Sequence, residues 1–269
     1  MKAYFIKLYF IFFFLCLNIF FNIYHKYDFE YNYNKIINKT NNNRLILNVN
    51  KPSNYEYVKS SKDYWEKRYS FGGNSGVGSY NNLAIFKASI LNNFVIKNNI
   101  NTVIEFGSGD CNQLSLAKYK KYIGYDVSKT AIKICQKKFN NDTTKTFIHM
   151  NDNFINDKKA DLSISLDVIY HLIEDNVFNL YMQNLFNSSK KYICIYSSNV
   201  DKKWDKHVRH RKFTDWINKY VSNEWKLKEY IPNIYPFDIK KSDFTSFSDF
   251  FFYEKIKCKF SFFNICFFH

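Results

Sequence analysis

Glycine and proline are scarce in this chain of 269 residues, seven and three respectively, which excludes a collagen-like polymer or a Pro/Gly-rich disordered one. The six cysteines, at positions 16, 111, 135, 194, 258 and 266, form no CxxC pair and no closely spaced set. A disulfide framework is therefore excluded, and reduced, mostly buried thiols are expected. No HExxH is present and no carboxylate triad calls for a metal, so no metal site is expected. A concentrated Lys/Arg block is also missing. The 39 basic residues outnumber 24 acidic ones for a formal net charge of +15, but they are scattered among asparagines. Such a charge is a weak argument for a nucleic-acid partner, and none is expected.

Hydrophobic residues make up 46% of the chain and aromatics 20%, enough for one substantial core. The one long apolar run stands at the start. Residues 3–24 carry a single charge, Lys7, and a helix of that length rises about 33 Å, enough to cross a membrane. A single-pass N-terminal anchor (residues 1–24) is expected, with a cleaved signal peptide as the alternative; no small-residue cleavage site follows the run. Residues 25–60 are rich in tyrosine and asparagine and read as a polar tether. The last fourteen, 256–269, form an aromatic tail without clear periodicity.

Between these ends, residues 61–255 alternate helical and extended patterns, which predicts an α/β domain with a parallel sheet. Helices are expected over 61–69, 82–99, 128–139, 174–186 and 214–221, with Ser128 and Thr214 as N-caps. Strands are expected at 102–106, 121–126, 144–150, 161–167, 190–198, 225–231 and 247–255. A further helix is expected directly after residues 107–111. Four of the seven glycines (72, 73, 76 and 78) fall in one loop, which suits a backbone that a ligand approaches or that moves.

The chemistry concentrates around Val103-Ile104-Glu105-Phe106-Gly107-Ser108-Gly109-Asp110-Cys111. A buried strand running into Gly-x-Gly lets a ligand approach the backbone closely. No glycine completes a GxGxxG, and the acid before the first glycine favours a ligand carrying an amine. Asp126 closes the second strand 21 residues after Glu105, where a carboxylate accepts hydrogen bonds from both hydroxyls of a ribose. Asp152 follows the third strand, where it can take the exocyclic amine of adenine. Asp167 ends the fourth strand, and His171 follows it. His171 has two readings, a general base or a histidine packed at a helix start. His207, Arg209, His210 and Arg211 follow the fifth strand; they read either as a clamp for an anionic group on an acceptor or as a solvated basic loop. Trp65, Arg68 and Tyr69 are expected on a helix that covers the ligand.

In order and spacing these residues resemble the class I S-adenosylmethionine-dependent methyltransferases over roughly residues 61–255. Glu105, Gly107 and Gly109 stand at that family's E/DxGxGxG, with Cys111 in place of the third glycine. The blocks 64–95, 167–175, 207–217 and 248–255 resemble a small, poorly characterised subgroup. The resemblance implies a Rossmann-like, seven-stranded, mostly parallel sheet with helices on both faces. It implies S-adenosyl-L-methionine as cofactor, held by Glu105, Gly107, Gly109, Asp126, Asp152 and Asp167. It also implies methyl transfer to an acceptor that it does not identify. Because that cofactor is made in the cytosol, a cytosol-facing domain is expected. The alternatives are a membrane-tethered, inactive binding protein of the same fold and a nucleic-acid methyltransferase. The second is disfavoured because DVIY stands where amino-group methylation of adenine would place Asn/Asp-Pro-Pro-Tyr, and no Pro-Cys nucleophile is present.

Overall fold

The computed structural model describes residues 59–151 and 154–256, together with two short strands at 259–260 and 266–267. All of these lie in the second of two units, Met1–Lys51 and Pro52–His269. The expected anchor, the tether and Asp152 fall outside the described residues, apart from residues 59–60 of the tether. Among the described residues no helix is long and apolar enough to cross a membrane.

Five strands, β1 (Thr102–Phe106), β2 (Lys121–Asp126), β3 (Lys145–His149), β4 (Ala160–Leu166) and β5 (Ser189–Ser197), run parallel in the order β3-β2-β1-β4-β5. A hairpin, β6 (Lys202–Asp205) and β7 (Val208–His210), stands outside this sheet. β8 (Trp225–Ile231) and β9 (Asp249–Lys255) complete seven strands, with β9 antiparallel between β5 and β8. The remaining short strands, β10 (Lys259–Phe260) and β11 (Cys266–Phe267), pair with each other. Strand order reverses between β1 and β4. In open α/β sheets that switch point is where ligands bind, outside the carboxyl ends of the strands.

The inner strands β1, β4, β5 and β9 are buried on both faces, as a sheet covered on both sides requires. In β9, Phe250 and Phe252 enter one core and Phe251 and Tyr253 the other. In β5, Cys194 and Tyr196 alternate with Ile193 and Ile195 in the same way. Helix α1 (Ser61–Ser70) belongs to neither core cluster. The first core is closed by α2 (Asn81–Lys97) and α3 (Lys129–Lys138), with Phe94 stacked 4.2 Å from Phe252. The second is closed by α4 (Asp175–Asn187) and α5 (Phe213–Tyr220) through Phe178, Met182, Leu185, Phe213 and Trp216. The sheet is thus seven-stranded, mostly parallel and covered on both faces.

Three local expectations are corrected, and a stretch assigned no element proves to be a hairpin. The helix expected after the glycine turn is a single 3-10 turn, Gln113–Leu116, because Ala117 is already extended and β2 begins at Lys121. Thr214 does not cap α5; its hydroxyl donates to Asn199 Oδ1, and the cap residue is Lys212. The polar stretch after β5 is the β6–β7 hairpin, whose four β6 residues are all exposed and so show no apolar alternation. Finally, Cys111 and Cys135 are not thiols but a disulfide, with Cα atoms 5.5 Å apart. Their separation of 24 residues hides them from any short-spacing rule, and the β1-β2-α3 unit brings them together. Cys194 is a buried free thiol.

Candidate functional site

A cavity of about 560 Å³ opens at the switch point, lined by the β1 turn, the ends of β2 and β4, and helices α1 and α4. That volume falls within the range of small-molecule sites. Gly107 and Gly109 have φ of +86° and +56°. A Cβ on Gly107 would strike Val168, and one on Gly109 would strike the Ser75 hydroxyl, so both positions need glycine. The turn has no helix N-terminus behind it, and its amides are already paired: Gly107 and Ser108 N–H donate to the Tyr125 carbonyl and Cys111 N–H to that of Ser108, and side chains take the rest. Gly109 N–H donates to Asp126 Oδ2 (2.8 Å), Asp110 N–H to Ser75 Oγ (2.9 Å) and Asn112 N–H to Asp110 Oδ1 (3.0 Å).

Asp126 lines the cavity, with Oδ1 accepting from Ser128 N–H (2.8 Å). Burial pushes its carboxyl up to about 6 against those two amide bonds. An ionised carboxylate has about four lone-pair sites, so two remain for a ligand's hydroxyls. Glu105 lines the same cavity and accepts from Tyr122 OH at 2.6 Å. Burial pushes it up to about 7, outweighing the Tyr122 bond and the Lys87 charge.

A raised carboxyl pKa makes the folded state bind more protons than the unfolded one. Glu105 therefore lowers stability as pH rises from about 4.5 to about 7. At 1.36 kcal/mol per pH unit the full effect is about 3 kcal/mol. Glu105→Gln keeps an acceptor for Tyr122 OH and removes the charge. Denaturant titration should find the variant more stable than the parent by roughly that amount at pH 8, with the difference closing near pH 4.

Helix α1 spans the cavity, as expected, and Trp65 and Tyr69 line it. Ser60 caps the helix by accepting from Asp63 N–H, and Glu174 Oε1 accepts from Ser61 N–H (2.8 Å). Farther along, Glu66 accepts from Ser128 Oγ (2.6 Å) and Thr130 Oγ1 (2.7 Å), which docks α1 on the start of α3. Arg68 does not reach the cavity; its guanidinium holds the backbone oxygen and side chain of Asn74 in the glycine-bearing loop. That loop docks on the β1 turn through Ser75 N–H to Asp110 Oδ2 and Tyr80 OH to the same oxygen (2.6 Å).

His171 lines the cavity beside Trp65, whose ring lies 4.9 Å away at 83°. Burial pushes it down to about 4, so it is neutral at physiological pH. Its Nδ1 lies 3.1 Å from the His207 carbonyl oxygen. Because a carbonyl only accepts, Nδ1 carries the proton and Nε2 the lone pair.

Asp167 also lines the cavity, and Lys87 Nζ (2.6 Å), Tyr170 OH (3.0 Å) and Ser248 Oγ (3.0 Å) all donate to its carboxylate. Of the cluster His207, Arg209, His210 and Arg211, expected to clamp an acceptor, none lines this cavity. Arg209 and Arg211 hold the Ile173 carbonyl and Asp175, and Arg211 also holds the Leu172 carbonyl, so both fix the loop entering α4. His207 stacks on Tyr64 (4.4 Å), and His210 accepts or donates at Ser198 Oγ (2.6 Å).

Residues with no expected role complete the lining. Ser108 Oγ, Gln113 Oε1 and Glu174 Oε2 are buried with no hydrogen-bond partner, and all three residues border the cavity. Buried polar atoms are nearly always paired, so these three are open positions for a polar ligand. Asp110 and Glu174 had a sequence signal, beside the glycine turn and at a helix start. Ser75 had none, since its partner is 35 residues away. Among the described residues no group of His, Cys, Asp and Glu is arranged to hold a metal ion.

No protein-family model and no curated protein matches the sequence. Solved structures do match. The N-methyltransferase NodS from Bradyrhizobium japonicum WM9, in complex with S-adenosyl-l-homocysteine, superposes with a TM-score of 0.55 at 12% identity, over 73% of this chain and 97% of that one. The magnesium protoporphyrin IX methyltransferase from Synechocystis PCC 6803, with bound SAM, superposes with a TM-score of 0.53 at 14% identity, over 73% and 98%. Seven strands in this order, covered on both faces around a cavity at the switch point, give this chain the fold of the class I S-adenosylmethionine-dependent methyltransferases.

Proposed function

We propose that this protein transfers a methyl group from S-adenosylmethionine to a hydroxyl or amine of a small molecule or glycan. The observation that carries the reading is Asp126: a buried carboxylate at the end of β2, bonded to the backbone of the glycine turn and facing the cavity. The open Ser108 Oγ and Gln113 Oε1 fit the polar ends of such a cofactor, and NodS and the protoporphyrin enzyme were crystallised with it or its product. Asp126 would accept the two ribose hydroxyls, and Glu105 and Gln113 would face the amino-acid end. Asn151, on the side of the cavity beyond β3, would serve the adenine alongside Asp152.

When bound, the cofactor supplies an electrophilic methyl carbon on a positively charged sulfur. The protein aligns the acceptor with it and excludes water beneath α1. His171, neutral and with its Nε2 lone pair available, would take the proton of an acceptor hydroxyl.

Calorimetric titration of the full-length chain with S-adenosylmethionine tests the reading. Each hydrogen bond to a charged group contributes about 1.5 kcal/mol or more. Asp126→Ala, which removes two, should therefore weaken binding by at least about 100-fold. Equal affinity in a folded variant would remove Asp126 from the site. No binding by the folded parent would overturn the function.

A further inference from the structure

A second cavity, of about 550 Å³, lies between Ser198 at the end of β5 and Asp249 and Phe251 at the start of β9. No residue lines both cavities. The buried Tyr170 ring stands between them, against Phe247 (5.0 Å) and His210 (5.9 Å) on one side and His171 (4.6 Å) on the other. The second cavity is therefore a site of its own, and its own walls decide what it takes.

Those walls are aromatic rings set at right angles. Trp204 stands at 89° to Phe237 (5.9 Å) and at 86° to His210 (5.6 Å), and His210 stands at 86° to Phe247 (4.4 Å). Burial and the Lys202 charge hold His210 below the usual histidine range, so that wall is a neutral ring. Trp204 is 46% exposed and Phe237 37%, which leaves both rings open to a ligand. The face of an aromatic ring carries the negative part of its quadrupole, so several rings around one space attract a cation. One cation already uses this wall: Lys202 Nζ lies over the Trp204 ring, 4.7 Å from its centre. Lys202 is exposed on the β6–β7 hairpin, so its ammonium is free to leave the ring for solvent. Asp249 is the one acid among the lining residues. Its oxygens accept from Asn233 N–H (2.8 Å) and Tyr230 OH (2.8 Å), which fixes the carboxylate and leaves about two of its four acceptor sites open. The carboxylate selects positive charge, while the rings welcome methyl groups that a hydrogen-bonding site would reject. A methylated ammonium satisfies both.

We propose that the second cavity binds a methylated ammonium group, with Trp204, Phe237, Phe247 and His210 as the aromatic cage and Asp249 as the counter-charge. Lys202 holds the Trp204 face in the free protein and gives it up to the ligand. The proposal stands apart from the methyltransferase reading, since it uses neither the first cavity nor the cofactor.

Calorimetric titration of the full-length chain with choline tests it, beside dimethylbutanol, the uncharged carbon isostere of choline. Saturable binding of choline is expected, with the isostere at least tenfold weaker. Trp204→Ala and Asp249→Asn should each weaken choline at least tenfold, and Lys202→Gln should tighten it. Trp204 is partly exposed, and asparagine keeps polar partners for Asn233 N–H and Tyr230 OH, so both variants should fold with unchanged circular dichroism. Phosphatidylcholine vesicles separate the sources of such a group. Vesicles that displace choline assign the site to a lipid headgroup, and vesicles that do not assign it to a free small cation. No saturable binding at millimolar choline, equal affinity for the uncharged isostere, or binding indifferent to both Trp204→Ala and Asp249→Asn overturns the proposal.

Discussion

Replacing Lys87 by methionine should destabilise the folded domain by about 3–5 kcal/mol, the range for removing one partner of a buried ion pair. The side chain of Lys87 is 0% exposed and that of Asp167 13%. Nζ approaches Oδ2 to 2.6 Å and stands 5.3 Å from the Tyr196 ring. Methionine fills a similar volume, so packing changes little, but Asp167 keeps its charge with only the Tyr170 and Ser248 hydroxyls to stabilise it. For a domain of this size the melting temperature should fall by roughly 10 °C. The double variant Lys87→Met/Asp167→Asn should recover most of the loss. Asparagine keeps an acceptor for the two hydroxyls and tolerates the φ of +59° found at this position. Denaturant titration of the four proteins reads the coupling. A coupling near zero would mean that the pair does not hold the end of β4, and that the loss comes from packing alone.

That pair also shows where sequence reading stops. β1, the glycine turn and Asp126 were legible because the whole unit is local: strand, turn, second strand and Asp126 fall within 25 consecutive residues, 102–126. The inner strands were legible as short apolar runs, and α2 and α4 by apolar residues at helical spacing. Asp167 was legible at the end of β4 but its ion-pair partner was not, since Lys87 lies 80 residues earlier, on α2. An isolated lysine in a helix rich in apolar residues reads as a solvated one. The partners of Arg209 and Arg211 were hidden for the same reason: besides Asp175 they are backbone carbonyls of residues 172 and 173, and a carbonyl leaves no mark on a sequence.

The cysteines at 111 and 135 bear on stability and on the site together. Closing a loop of 24 residues restricts the unfolded chain by about 3.5 kcal/mol on the chain-entropy estimate. Cys111→Ser/Cys135→Ser should therefore lower the melting temperature by roughly 10 °C. Both cysteines are fully buried, so the hydroxyls that replace them act in the same direction. A second effect follows from position. Cys111 has a φ of +59° and ends the turn whose Gly109 N–H holds Asp126, and Cys135 lies on α3, whose start is capped by Ser128. The bond thus ties together the two elements that orient Asp126. With it gone, the turn must be ordered when the ligand binds. Re-ordering even one backbone residue costs about 1–2 kcal/mol, which is roughly tenfold in affinity. Calorimetry with S-adenosylmethionine before and after reduction should show that loss, and the serine double variant should bind like the reduced parent and ignore the reductant. Counting reactive thiols in denaturant on protein isolated without reductant gives the independent check, with at least two more after reduction than before. Disulfides persist in oxidising compartments and are rare in the cytosol. A full complement of free thiols in the isolated protein, with affinity unchanged by oxidation, would place the domain in a reducing compartment and leave Cys111 and Cys135 as packed thiols.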